Sequence, residues 1–246
     1  MSKNQVALFE DQLAALANES VKAEQASSQM TFLSTKGGQL TYRNDPVAGN
    51  KLACIILTAP VERLYYKDRY DASKIVPPNC VAIDASSIGM KPLATSTDIQ
   101  HATCEGCPKN EWGSSPTGGK GKACRETRRI LIIPADAVTS AASVASAEVA
   151  AIRPPVTSLK NYSSYVQTVA TAMRRPPLAV ITEISVVPDA KTQFKVVFNT
   201  LKAIDDPAVI EALIARSKIE LEKAITSANE GMAEEDGTPT AQSDRF

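Results

Sequence analysis

Four of the five cysteines in this chain fall between positions 80 and 124, as Cys80, the tight pair Cys104-x-x-Cys107, and Cys124. A CxxC knuckle that offers two thiolates, with two more arriving from a distance, is the layout of a structural zinc site. Gly106, just before Cys107, suits the cramped turn of such a knuckle. His101, three residues before Cys104, is an alternative fourth ligand in place of Cys80. The competing readings are four ordinary thiols and a redox CxxC, and the latter lacks its usual βαβ surroundings. Residues 84–123 are polar and poor in large apolar side chains, so they cannot build a core of their own. A bound ion can supply the missing folding energy, on the order of 10 kcal/mol for structural zinc. Four protein ligands leave no open position for substrate, so the expected role of Zn2+ is structural.

Around this segment the chain reads as α+β and rich in strands. Val6, Phe9, Leu13 and Leu16 give residues 4–26 one apolar helical stripe, and residues 1–29 are expected to form an N-terminal helix ending in a hinge. Met30–Thr35 and Gln39–Arg43 flank Lys36-Gly37-Gly38 as a hairpin. Lys51–Tyr70 is the longest strand-forming run, with Pro60 marking a bulge or break, and Cys54 within it is expected to be a core residue. Arg128–Pro134 is a short apolar strand, Asp136–Ile152 a weak helix, and Ser158–Arg174 a better helix that Ser158 can cap. Leu178–Val187 and Thr192–Thr200 form a hairpin; Asp205 or Asp206 then caps a helix from Pro207 to about Asn229, within residues 206–229. The core domain is expected over residues 30–205, with the metal segment 80–124 as an insertion, and residues 230–246 form an acidic tail.

Two stretches interleave aromatic and basic side chains, the mixture a single-strand binding surface needs for base stacking and phosphate contact. One is Arg63, Tyr65, Tyr66, Lys67, Arg69 and Tyr70; the other lies in the metal segment and after it, with Lys109, Trp112, Lys120, Lys122, Arg125 and Arg128. An amphipathic strand with core tyrosines, and a tryptophan packed on the knuckle, are the structural alternatives. GSSPTGGKGK is not a phosphate loop: Gly113 stands one residue too far from Gly119-Lys120, and Gly121 replaces the required hydroxyl.

The formal net charge of zero hides an asymmetry. Glu230–Phe246 holds five acids and one base, which leaves the body at about +4. The single histidine rules out most Ser-His-Asp and Cys-His arrangements, and no HExxH, GxSxG or dinucleotide fingerprint occurs. A non-enzymatic protein is expected, with a nuclease built from scattered acids as the remaining catalytic alternative. No apolar run approaches a membrane span and no signal peptide is evident, so a cytoplasmic location is expected, without membrane partners. No internal repeat is present.

PPNC, followed by CEGCPKNEWGS…GKGKAC and an apolar strand, resembles a zinc-containing group of bacteriophage single-stranded-DNA-binding proteins. The C-terminal hairpin, helix and acidic tail ending in Phe246 are similar to those of phage replication proteins with an oligonucleotide-binding (OB) barrel. The likeness covers Lys51–Phe198 and the character of the tail. It implies an OB-type five-stranded barrel with a zinc-binding insertion and flanking helices, and metal ligands at Cys80, Cys104, Cys107 and Cys124. It further implies coating of single-stranded DNA in replication and recombination, in the host cytoplasm if the chain is phage-encoded. Replication proteins would dock on the tail through Glu234, Glu235, Asp236, Asp244 and Phe246. The uncharged run Gly237–Ser243 and the cationic Arg245 depart from the acidic pattern. The alternative is a zinc-stabilised interaction module that binds a replication or transcription enzyme. Self-association to a homo-oligomer is left open.

Overall fold

The long strand-forming run beginning at Lys51 folds as two strands, β4 (Lys51–Thr58) and β5 (Val61–Tyr65), broken at Ala59-Pro60. The run of β7 (Cys124–Arg128) and β8 (Ile130–Pro134) is broken at Arg129, whose N–H donates to the Pro60 carbonyl at 3.1 Å. β4 pairs with β8 and β5 with β7, both antiparallel, so the four segments form one ribbon bent at its middle. Proline lacks the N–H that an unbroken ladder would require, which places the bend where the sequence reading placed it. The structure is a computed structural model and describes residues 30–68, 76–116 and 118–226. The N-terminal helix, Arg69, Tyr70 and the acidic tail expected from the sequence lie outside the described residues.

The lower half of the ribbon belongs to a six-stranded sheet in the order β1-β9-β8-β4-β10-β11. Its other strands are β1 (Thr31–Leu33), β9 (Ala150–Ile152), β10 (Val180–Asp189) and β11 (Gln193–Ala203). The upper half continues into a three-stranded sheet, β6-β5-β7, with β6 spanning Cys80–Asp84. β2 (Thr41–Tyr42) and β3 (Asp45–Pro46) form a small separate hairpin whose turn residues, Arg43 and Asn44, both have positive φ. The architecture is mixed α/β. Among the described residues the large sheet does not close: its edges are β1 and β11.

Among the described residues three α-helices cover the large sheet: α1 (Ala141–Ser146), α2 (Leu159–Thr168) and α3 (Pro207–Thr226). Cys54, Ile56, Ile130, Ile132 and Ile184 face α2, meeting Tyr162, Tyr165 and Val169. Ile55, Leu57 and Ile133 face the other way, against Val144 of α1 and Val209 and Leu213 of α3. Because strands alternate their side chains, Cys54–Leu57 of β4 and Ile130–Ile133 of β8 must be apolar at every position to serve both layers. That is why CIIL and ILII read as unbroken apolar runs. The terminal helix thus shares the core of the sheet. Asp206 Oδ1 caps it, accepting from Ala208 N at 2.9 Å.

Three local expectations are corrected. Lys36–Gly38 turns as expected, but the hairpin is one bridge, Ser34 to Thr41; β1 pairs in parallel with β9 and β2 pairs with β3. The Asp136–Ile152 segment is α-helical only over α1, and Ala150–Ile152 is a strand: pairing with β8 on one side and β1 on the other overrides the intrinsic helix preference of alanine. Ser158 caps no helix by its side chain. Its buried hydroxyl instead accepts from Val196 N at 2.9 Å, while Asn161 Nδ2 donates to Val196 O at 2.9 Å. Two side chains thus occupy the outward backbone groups of edge strand β11 at Val196, a position that would otherwise invite another strand. Ser158→Ala leaves that buried N–H unpaired and should cost about 1–3 kcal/mol in urea denaturation.

One buried ion cluster fastens the two sheets together. Glu62 of β5 is fully buried and receives Arg129 Nε at 3.1 Å and Arg153 Nε at 2.7 Å. Arg153 also lies 4.7 Å over the ring of Phe32 in β1. Burial alone would push the Glu62 carboxyl up; the Arg153 and Arg129 guanidiniums outweigh it and hold the group below the usual glutamate range.

Candidate metal centre and nucleic-acid surface

In β5, Arg63 and Tyr65 are two apart and share a face. Tyr65 is paired with Cys80 of β6 on one side and Cys124 of β7 on the other; Arg63 is paired with Ala82 and Glu126. Directly paired residues point the same way, so this face carries the row Cys80, Tyr65, Cys124 and the row Ala82, Arg63, Glu126. The opposite face carries Glu62, which explains how one short strand serves both a thiol cluster and the ion cluster.

The segment after β6 folds across the thiol face. Leu93 N donates to Val81 O and Asp98 N to Asn79 O, both at 2.8 Å, and Cys104 N donates to Met90 O at 2.9 Å. Met90 is wholly buried against Val61, Ala82 and Cys104, the one large apolar side chain fully buried among the segment's described residues. Gly106 sits at φ +72°, a left-handed conformation that the knuckle turn imposes and that glycine adopts without strain. Asn110 Nδ2 then donates to Cys104 O at 3.0 Å, and Lys122 Nζ donates to Asn110 Oδ1 at 3.1 Å. Ser114 Oγ accepts from Ala123 N at 3.0 Å and donates to Glu111 O at 2.6 Å. Hydrogen bonds, rather than apolar packing, hold this region.

Cys80, Cys104, Cys107 and Cys124 line one cavity of about 20 Å³, room for a single ion or water. All four are buried, and none of the chain's cysteines is in a disulfide. Cys54 is apart from them, in the sheet core, as expected. Among the described residues no three Cys, His, Asp or Glu side chains stand close enough, as placed, to hold an ion between them. Cys80 and Cys124 flank β5 on strands two apart, about 10 Å between backbones, so their side chains must lean in over Tyr65 to share a centre.

The donor set nevertheless suits a soft dication. Burial pushes the Cys124 thiol up to about 12, with the neighbouring cysteines adding to it. Burial also raises Cys80 and Cys104, opposed at Cys80 by the Gln100 backbone N–H and at Cys104 by the Arg63 guanidinium. Donors aimed at sulfur are what a thiolate centre requires around its ligands. His101 lines the same cavity, but its ring is exposed, with Nδ1 2.9 Å from Thr103 O; the tautomer with the proton on Nδ1 donates to that carbonyl.

The residues expected to contact nucleic acid divide sharply. Trp112 is 78 % exposed, and Lys122 Nζ stands 5.1 Å from its ring centre. Lys120 and Lys67 are exposed, and Lys109, Arg125 and Tyr66 are half-buried. Two expectations are corrected. Arg63 is buried and bound to Glu126, with Nε to Oε2 at 2.8 Å, so it does not face solvent phosphate. Tyr65 is buried between Cys80 and Cys124, with Lys109 Nζ 5.3 Å over its ring, so it offers no free face for a base. Arg128 is half-buried, donating to Ala59 O at 2.8 Å and lying 5.9 Å over Tyr162. Sequence reasoning missed Met90, Asn110 and Ser114 as supports of the knuckle. The alternation in Val61–Tyr65 was the one available signal that Arg63 and Tyr65 share a face.

A scan against protein-family models finds no match, and searches of curated proteins and of solved structures find none either. The fold and site therefore define this chain on their own terms: a mixed α/β protein whose second sheet carries a four-cysteine pocket under a tryptophan-bearing flap. No described helix is long and apolar enough to cross a membrane.

Proposed function

We propose that this protein binds single-stranded DNA without catalysis, on the flap formed by residues 84–123, and that a structural Zn2+ held by Cys80, Cys104, Cys107 and Cys124 fixes the flap to the small sheet. The carrying observation is Trp112: a ring that could bury 150–250 Å² stands in water on a loop bearing Lys120 and Lys122. Stacking a base on such a ring recovers about 1–3 kcal/mol, and the neighbouring ammonium groups suit phosphate. The ion supplies a cross-link that the polar segment cannot make from its own side chains. In this reading the OB-type frame corresponds to the bent ribbon, which passes from one sheet to the other, and the setting is phage replication and recombination. The acidic tail would compete with DNA for the same cations and would recruit replication proteins.

The test is fluorescence anisotropy with a labelled oligo(dT), and with duplex DNA and RNA of equal length. Single-stranded DNA should bind with log K falling by about 3 per tenfold rise in salt if four phosphates are contacted. Trp112→Ala should weaken binding about 5- to 100-fold. Absent binding at low salt, or an affinity indifferent to both Trp112 and salt, overturns the proposal. Loss of binding to a replication enzyme with no DNA effect would favour the interaction-module alternative.

A further inference from the structure

Arg63 has the wrong address for a phosphate contact and a good one for another task. Its side chain is 9 % exposed and lines the same cavity as the four thiols. Nε and Nη2 are engaged by Glu126 Oε2, at 2.8 and 2.7 Å. Nη1 is buried without a hydrogen-bond partner of its own. A guanidinium nitrogen left unpaired in the interior is costly unless something there accepts it.

Four thiolates around a dication carry a net charge of about −2, and a buried anion of that size needs a counter-charge. Arg63 is the buried cation on the thiol face of β5, one pairing row from Cys80 and Cys124. We propose that Arg63 is a positioning residue of the metal centre: its guanidinium donates to the sulfur of Cys104, balances part of the thiolate charge, and is itself oriented by Glu126. This rests on the zinc reading above.

The experiment compares wild type, Arg63→Lys and Arg63→Met by zinc competition against a chromophoric chelator and by the absorption spectrum of the cobalt(II)-substituted proteins. Arg63→Met should weaken zinc binding about 10- to 100-fold, the usual effect of removing a group that supports a metal ligand. Arg63→Lys, which keeps the charge and loses the fork, should fall between, and the thiolate-to-cobalt bands should shift in both. Zinc-saturated variants should bind oligo(dT) within about twofold of wild type, since Arg63 is not on the DNA surface. If wild type binds zinc and both variants match it in affinity and spectrum, the assignment of Arg63 is wrong while the zinc reading stands. If DNA affinity falls with zinc affinity unchanged, Arg63 is a DNA contact and this inference fails. A wild type that binds neither zinc nor cobalt removes both.

Discussion

Removing zinc with a chelator should unfold the flap between β6 and β7 while the six-stranded sheet keeps its structure. The two parts differ in what holds them. The sheet buries apolar side chains on both faces, from Ile56 and Ile132 on one to Ile55 and Ile133 on the other. The flap offers Met90 and a set of hydrogen bonds such as Asn110 to Cys104 and Ser114 to Ala123. Each is worth about 1 kcal/mol net, against about 1–2 kcal/mol of backbone entropy per ordered residue. The zinc ion proposed above would supply on the order of 10 kcal/mol and so decide the balance. Cys104→Ser with Cys107→Ser should act like the chelator. Hydrogen exchange should show protection lost at Cys104, Asn110 and Ala123 and kept at Ile132 and Val196. Oligo(dT) affinity should fall by more than about tenfold as the Trp112 platform loses its fixed position. An unchanged exchange pattern after metal removal would refute the structural role of the ion.

The second large effect is expected at Glu62. Glu62→Ala should lower unfolding free energy by about 3–5 kcal/mol, because it leaves Arg129 and Arg153 as buried cations without their anion. Arg129 is only 2 % exposed, so water cannot compensate it. Replacing all three with apolar side chains of similar volume should recover much of the loss, as desolvation then disappears along with attraction. The same cluster gives an acid dependence. The folded carboxyl of Glu62 is held below its unfolded value of about 4.3. Its contribution is therefore fully present above that value and is lost as pH falls through the lower folded one. Urea midpoints measured from neutral pH down to about pH 3 should fall less steeply for Glu62→Gln than for wild type. Equal slopes and an unchanged midpoint would mean the cluster contributes nothing net.

Much of the architecture was legible because it follows from periodicity. The break at Pro60, the hairpin β10–β11 and the Asp206-capped helix each rest on a local signal, a missing N–H or an alternation, that tertiary context did not override. That the four cysteines border one cavity was legible from spacing. What was not legible depends on pairing partners far away in sequence. Arg63 reads as a cation for phosphate until Glu126, 63 residues on, is found opposite it. Tyr65 reads as a stacking ring until two strands place cysteines on both sides of it. Ser158 reads as a helix cap, and its hydroxyl is claimed by Val196 from another strand. Small residues misled in their own way: Ala150-Ala151 carries no strand signal, yet pairing with β8 and β1 on its two sides makes it a strand.

Trp112 is the sole tryptophan of the chain and stands almost fully in water with an ammonium over one face of the ring. All indole emission from the protein therefore originates at the point where an oligonucleotide would arrive. The molecule carries its own optical reporter, and occupancy of the flap can be followed by quenching of that light without attaching any dye.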